Sequence, residues 1–249
     1  MNNAKLNWVR LPLEGVENCR DLGGYGTVNV GQTKWGAFLR SSDMNKLTSS
    51  DIDFLADYGV KTVIDLRGAD EIDRSPNPLA EIKSFDYVNI PFAGQPILEL
   101  NGLANLTMGD FYVKLLAESE YVKTIFETIG QSIDGGVVFH CSAGKDRTGI
   151  LAMLLLGLAG VARKDIISNY EVSYTNLESF HGVIKDQLSA FNVPESFLFS
   201  DREYIILAYD YIIENHGDFE RYLRSKGISQ DVLNRVKEQL VQEIEVTVE

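Results

Sequence analysis

Cysteine is scarce in this chain: there are two in 249 residues, with three histidines and six prolines. Two cysteines cannot build the disulfide framework of a small secreted domain. A low count suits a reducing compartment, where a reactive thiol survives. The histidines, His140, His181 and His216, are scattered and form no cluster with metal-ligand spacing, so neither a metal nor any other cofactor is expected. Long apolar runs are missing too. The longest, about Ile150 to Ala162, falls short of the roughly 20 residues a membrane span needs. Met1 to Arg10 has no apolar stretch of the signal-peptide kind. A cytoplasmic location without stable membrane association is the expectation, with unconventional secretion left open. Positive charge is in deficit as well, with 23 Lys and Arg against 36 Asp and Glu and a net charge of −13. Such a surface repels nucleic acid and anionic membranes at long range. A site that takes an anionic ligand must therefore create its positive field locally.

The chain is 45% hydrophobic and 24% charged, the composition of a globular domain with a sizeable core. No repeat, low-complexity tract or Pro/Ser-rich linker divides it, and one domain over 1–249 is expected. Thr27–Val30 and Lys34–Leu39, around a Gly31-Gln32 turn, read as a hairpin. Thr48, with Asp51 three residues on, caps a helix that runs to Tyr58 and stops at Gly59. Val60–Leu66 reads as a buried strand and Phe85–Ile90 as another, ended by Pro91. Residues 92–109 read as a long loop. Apolar residues from Phe111 to Ile129 keep helical spacing. Val137–His140 is a short strand after the Gly135-Gly136 turn, and Thr148 to Gly160 is a helix apolar nearly all round, hence buried. Further helices are expected from Asp165 to about Leu177, from a Ser200/Glu203 capping box to about Asn215, and after Ser229, with a stripe of Val232, Leu233, Val236, Leu240 and Val241. Strands alternating with helices predict an α/β fold, with a mainly parallel sheet flanked by helices and a helical C-terminal half.

The chemistry lies in His140-Cys141-Ser142-Ala143-Gly144-Lys145-Asp146-Arg147-Thr148-Gly149, between a strand and a buried helix. A loop leaving a strand and entering a helix points its N–H groups at one spot, and the helix N-terminus adds partial positive charge, which suits a phosphate dianion. Ser142, Ala143, Gly144, Lys145, Asp146 and Arg147 are its phosphate-binding residues. Gly144 permits the tight curvature. A free thiol titrates near about 8.5, and helix N-termini with nearby cations bring such thiols to roughly 3.5–7.5, so Cys141 is expected to attack phosphorus as the thiolate. Arg147 can fold back and hold two phosphoryl oxygens with its planar fork. Thr148 can donate to the sulfur as it leaves, and His140 orients the loop. A lone buried cysteine is usually a small hydrophobe and a lone arginine at a helix start a surface charge. The ordered set between strand and helix is what carries the functional reading.

HCSAGKDRTG resembles the active-site loop of the cysteine-based protein tyrosine phosphatase superfamily, in the form of a bacterial tyrosine phosphatase-like group. Asn18-Cys19-Arg20-Asp21-Leu22-Gly23-Gly24-Tyr25 resembles that group's NFRDLGGY, and Val63-Ile64-Asp65-Leu66-Arg67 its DLR strand end. Arg40-Ser41-Ser42 also fits. The resemblance runs over about residues 15 to 180. It implies hydrolysis of phosphate monoesters through a phosphocysteine without metal: phosphotyrosine in proteins, with wider, dual specificity, or alternatively phosphoinositides or other small molecules. Lys145 favours highly charged substrates if its cation lies beside the phosphate. A non-catalytic phosphate-binding module is the remaining class. No Trp-Pro-Asp is present to supply a general acid; the group's KDR form implies Asp146 first, then comes Asp65 at a strand end, then Asp110, whose other reading is a helix cap. Cys19 stands where the group has Phe, as a packing substitution or as a redox partner of Cys141.

Overall fold

The computed structural model describes residues 7–28, 31–92, 107–132, 134–182, 185 and 198–243. A five-stranded sheet has the order β1-β4-β7-β5-β6. These strands are β1 (Arg20–Asp21), β4 (Phe38–Ser41), β5 (Val60–Asp65), β6 (Asp86–Asn89) and β7 (Gly136–His140). β4, β7, β5 and β6 run parallel and β1 is antiparallel to β4. The central strands are apolar on both sides because both faces are covered. Phe38, Ile64, Val137 and Phe139 enter one core cluster, while the alternating Leu39, Val63 and Val138 enter the other. The larger cluster packs α3 (Met108–Glu118), α4 (Tyr121–Gln131), α5 (Asp146–Leu158), α6 (Arg163–Asn176), α7 (Arg202–His216), α8 (Phe219–Ser225) and α9 (Gln230–Leu240) against the sheet. The smaller holds α1 (Ser49–Tyr58) and the segment leading into β1.

Local signals place several elements. Thr48 accepts from Asp51 N and Asp51 answers to Thr48 N, closing a capping box, and Gly59 ends α1 at φ 99°. Helix α5 is buried at ten of its thirteen positions, as an apolar-all-round sequence requires. It starts at Asp146, two residues before the expected Thr148, so Asp146 and Arg147 lie in its first turn.

Other expectations shift. The hairpin is real but displaced: β2 (Gly26–Thr27) pairs with β3 (Gly31–Thr33), so Gly31 and Gln32 are strand residues, while Asn29 and Val30 lie outside the described residues. β3 also pairs with β8 (Val241–Glu243), which draws Val241 out of the last helical stripe. Phe38 and Leu39 belong to the main sheet, because Trp35 to Ala37 turn the chain there with Gly36 at φ 74°. The helical pattern from Phe111 is two helices, parted at Ser119-Glu120. Met108 and Gly109 are already helical, since Thr107 caps α3; residues 93–106 lie outside the described residues, as does most of 178–200. The N-cap of α7 is Asp201, whose carbonyl accepts from Tyr204 N, and Ser200 Oγ is buried without a hydrogen bond, so the expected Ser200/Glu203 box does not form. A short helix α2 (Ala69–Arg74) follows β5.

Candidate active site

Parallel strands leave a crevice at their C-terminal ends, where ligands of α/β folds bind. β7 ends there at His140, between the ends of β4 at Ser41 and β5 at Asp65, and the loop from Cys141 to Lys145 joins β7 to α5. Gly144 has φ 66°, and a Cβ on it would stand 2.4 Å from the Ser41 carbonyl oxygen. Only glycine fits so close an approach in the left-handed region.

What aims the loop is a set of donors outside it. Asp43 N donates to the Ser142 carbonyl at 2.9 Å. Asn18 Nδ2 donates to the carbonyls of Ala143 and Gly144 at 3.1 and 3.0 Å. Arg40 donates through one terminal nitrogen to Gly144 O at 2.7 Å and Lys145 O at 3.4 Å. A trans peptide points its N–H opposite to its C=O. Four carbonyls held on the outside therefore turn the amides of Ala143, Gly144, Lys145 and Asp146 to the inside, where an anion is received.

Cys141 is 2% exposed, and Thr148 Oγ1 donates to its Sγ at 3.1 Å. His140, fully buried, meets Asn77 Nδ2 at 2.9 Å and Asp65 at 3.4 Å through Nε2, and the Cys141 carbonyl at 3.3 Å through Nδ1. Arg147 places its two terminal nitrogens on the two carboxylate oxygens of Glu71, at 2.6 and 2.7 Å. The same carboxylate accepts from Ser142 Oγ and Gly68 N. Burial alone would raise the Glu71 carboxyl, but the bonds and charge of Arg147 outweigh it and bring it down to about 2.

The three carboxylates proposed from the sequence lie in different settings. Asp65 is fully buried, accepts from Arg67 at 2.7 to 3.2 Å and from Tyr87 OH at 2.8 Å, and lies against His140. Burial opposes its charge, yet His140 and Arg67 hold it far below the usual carboxylate range. Asp110 closes the capping box of α3, and the bonds from Thr107 hold it low. Asp146 is partly exposed at the start of α5 and accepts from Tyr112 OH, which also meets Tyr170 OH at 2.7 Å. Lys145 is 3% exposed; its Nζ donates to Phe199 O at 3.1 Å and lies 3.5 Å from Asp146. Cys19 and Cys141 are free and buried in different core clusters, and burial pushes the Cys19 thiol up to about 12.

Sequence reading missed Glu71, Asn18, Arg40 and Tyr112 as site residues. Asn18 and Arg40 stood inside the quoted motifs, so a signal existed for them; Glu71 sits in an ordinary acidic helix start and gave none. Among the described residues, no three or more His, Cys, Asp or Glu side chains are grouped to hold a metal, and no helix is long and apolar enough to cross a membrane. A cavity of about 600 Å³ lies at the other end of α5, lined by Gly157, Val161, Tyr209 and Phe219 among others.

A buried thiol inside a ring of inward amides, at a helix N-terminus and beside an arginine fork, is an arrangement that can receive a phosphate ester. The comparisons identify the family. The model of the tyrosine phosphatase family matches residues 11–242. A tyrosine-protein phosphatase of Nostoc commune is 36% identical over 224 residues, covering 83% of this chain and 74% of that protein. The triple specificity protein phosphatase PtpB of Mycobacterium tuberculosis is 24% identical, covering 90% and 96%. Pseudomonas aeruginosa TpbA, solved in complex with pTyr, covers 76% of this chain and 94% of its own, with TM-score 0.37 and 11% identity. The chain belongs to the tyrosine phosphatase family and is a protein-tyrosine phosphatase.

Proposed function

We propose that this enzyme, acting as one catalytic unit over 1–249, hydrolyses phosphotyrosine in proteins through a phosphocysteine on Cys141, and that it works in the cytoplasm. The observation that carries the reading is the inward turn of the loop amides around a sulfur that accepts from Thr148. The Cys141 thiolate attacks phosphorus, and the bond from phosphorus to the tyrosine oxygen breaks. Arg147 and the amides hold the equatorial oxygens through the transition state. The leaving oxygen takes a proton from Asp146, which is partly exposed at the loop; Asp65 is buried as a committed carboxylate, and Asp110 serves its helix cap. Asp146 then takes a proton from water as that water attacks phosphorus. Sulfur leaves as the thiolate, helped by Thr148.

The same geometry favours substrates with one phosphate over polyphosphorylated inositides. The loop lysine that pointed to polyanions is engaged with Phe199 O and Asp146. The phosphoserine and phosphothreonine arm of dual specificity rests on the relative named for triple specificity.

The test is Cys141→Ser assayed with para-nitrophenyl phosphate and a phosphotyrosine peptide. Turnover should vanish while inorganic phosphate still binds, because serine without a general base gives no usable nucleophile. Substantial residual turnover rejects the phosphocysteine route. Comparable rates on a soluble phosphatidylinositol trisphosphate and the peptide would reject the preference for one phosphate.

A further inference from the structure

Two guanidinium groups lie wholly inside the protein behind the catalytic loop. Arg40, from β4, is 0% exposed and Arg20, from β1, is 2% exposed. Among the described residues neither forms an ion pair. Both converge on α6: Arg40 donates to Asn169 Oδ1 at 2.7 Å and Ser173 Oγ at 3.4 Å, and Arg20 to Asn169 O at 2.7 Å and Ser173 Oγ at 2.8 Å. The Nε of each has no hydrogen-bond partner. A buried charge without a counterion is costly, and packing alone would be served by an apolar side chain. The second charge next to the first raises that cost further.

The charges around Cys141 indicate what offsets it. Arg147 is already matched by Glu71, Lys145 by Asp146, and His140 lies against Asp65. Tyr112 and Tyr170, facing the loop from α3 and α6, are held neutral by burial first and then by the Asp146 charge. What lacks a counter-charge is Arg40, with Arg20 behind it. A thiolate and a phosphate dianion in the loop would be the counter-charge that these two lack.

We infer that Arg40 is a positioning residue of the phosphatase reaction, whose unmatched buried charge, together with its hold on the loop carbonyls, sets the affinity of the loop for a phosphate dianion and for the thiolate. Burial lowers the Arg40 guanidinium to about 10, and the strongest opposing influence is the negative charge of Cys141. At neutral pH Arg40 is therefore still charged, and its favourable partner is the nucleophile. This rests on Cys141 as the nucleophile, which Cys141→Ser tests independently.

The decisive variant is Asn169→Asp. It keeps an oxygen where Arg40 Nη1 donates, and its second oxygen can accept from Tyr25 OH, which now meets Asn169 Nδ2 at 3.0 Å. The network is retained while Arg40 gains the carboxylate it lacks. Expected are an unfolding midpoint no lower than wild type, a loss in kcat/KM for para-nitrophenyl phosphate of about tenfold or more, and a similar rise in the inhibition constant of inorganic phosphate. The rate of Cys141 alkylation by iodoacetamide should need a pH about one unit higher to reach half its maximum, one unit being a tenfold change in equilibrium. Arg40→Lys, which keeps the charge but not the fork, should preserve the alkylation profile while lowering kcat, through looser carbonyls. If Asn169→Asp folds and leaves kinetics, phosphate affinity and alkylation profile unchanged, the charge of Arg40 has no part in the reaction and the inference falls. If Asn169→Asp does not fold, Arg40→Met against Arg40→Lys decides: equal alkylation profiles overturn it, and a shift in the methionine variant alone upholds it.

Discussion

Arg147 meets Glu71 fork to fork, with two nitrogens on two oxygens, and Nη1 also donates to Leu66 O at 3.3 Å, so the proposed phosphate has Nε and the second Nη2 hydrogen left to bind. The carboxylate thus fixes the plane of the guanidinium before substrate arrives, which removes an ordering cost from binding. Glu71→Ala should lower kcat/KM for para-nitrophenyl phosphate by about tenfold without unfolding the protein; an unchanged or higher value would mean that Glu71 only competes with substrate. Asp146 is tested by leaving-group basicity. A phenolate of high pKa needs a proton as the P–O bond breaks, whereas para-nitrophenolate hardly does. Asp146→Asn should slow phosphotyrosine hydrolysis far more than para-nitrophenyl phosphate hydrolysis, and an equal slowing of both would leave Asp146 a role in shaping the loop alone. At this scale legibility followed sequence distance. Cys141, Arg147 and Thr148 stand within eight consecutive residues of one motif, and the sequence named them together. Glu71 lies 76 residues from Arg147, Arg40 104 from Gly144 and Asn18 126 from it. Such pairs are made by the fold, and no local periodicity encodes them.

At the scale of elements, the loop is a joint between β7 and α5 that works only at one curvature. Gly144 needs φ 66° and has the Ser41 carbonyl where a Cβ would be, and Arg40 and Asn18 hold its carbonyl. Gly144→Ala must either strain the backbone or push β4 away, and either change re-aims the amides. The expected outcome is a loss of kcat/KM of about a hundredfold or more, with far-UV circular dichroism unchanged; kinetics within about twofold of wild type would show that the loop tolerates re-aiming. Elements with a mechanism in their letters were readable: Thr48 and Asp51 with Gly59 for α1, Ser229 for α9, and the apolar run of α5. Those that depend on a distant partner were not. Val241 continues a helical stripe in sequence, yet β3, some two hundred residues earlier, pairs with it and makes it strand. Ser200 with Glu203 has the form of a capping box, but the chain turns one residue later and Asp201 takes the cap.

For the whole molecule, two electrostatic effects oppose each other as pH falls. The net charge of −13 at pH 7 repels itself, and titration towards the sequence pI of about 4.7 relieves that repulsion. Against this stand carboxylates whose folded values lie below their ordinary ones. Asp65 is held far down by His140 and Arg67 against its burial, Glu71 is brought to about 2 by Arg147, and Asp51 is lowered by the backbone amides of Thr48, Glu14 and Gly15. A depressed folded pKa means that the unfolded chain binds the proton first, so stability falls as pH falls. Each contribution is complete above the unfolded value, roughly 3.9 for Asp and 4.3 for Glu, and is lost below it, for Glu71 down to about 2. Urea midpoints should therefore hold or rise slightly from pH 7 to pH 5 and then fall steeply below about pH 4. Asp65→Asn should fold less stably at pH 7, because Arg67 loses its buried partner at 2.7 Å, and it should show a shallower decline below pH 4. A wild-type midpoint still level at pH 3, or an equally steep decline in Asp65→Asn, would mean that these buried pairs do not govern the acid stability of the fold.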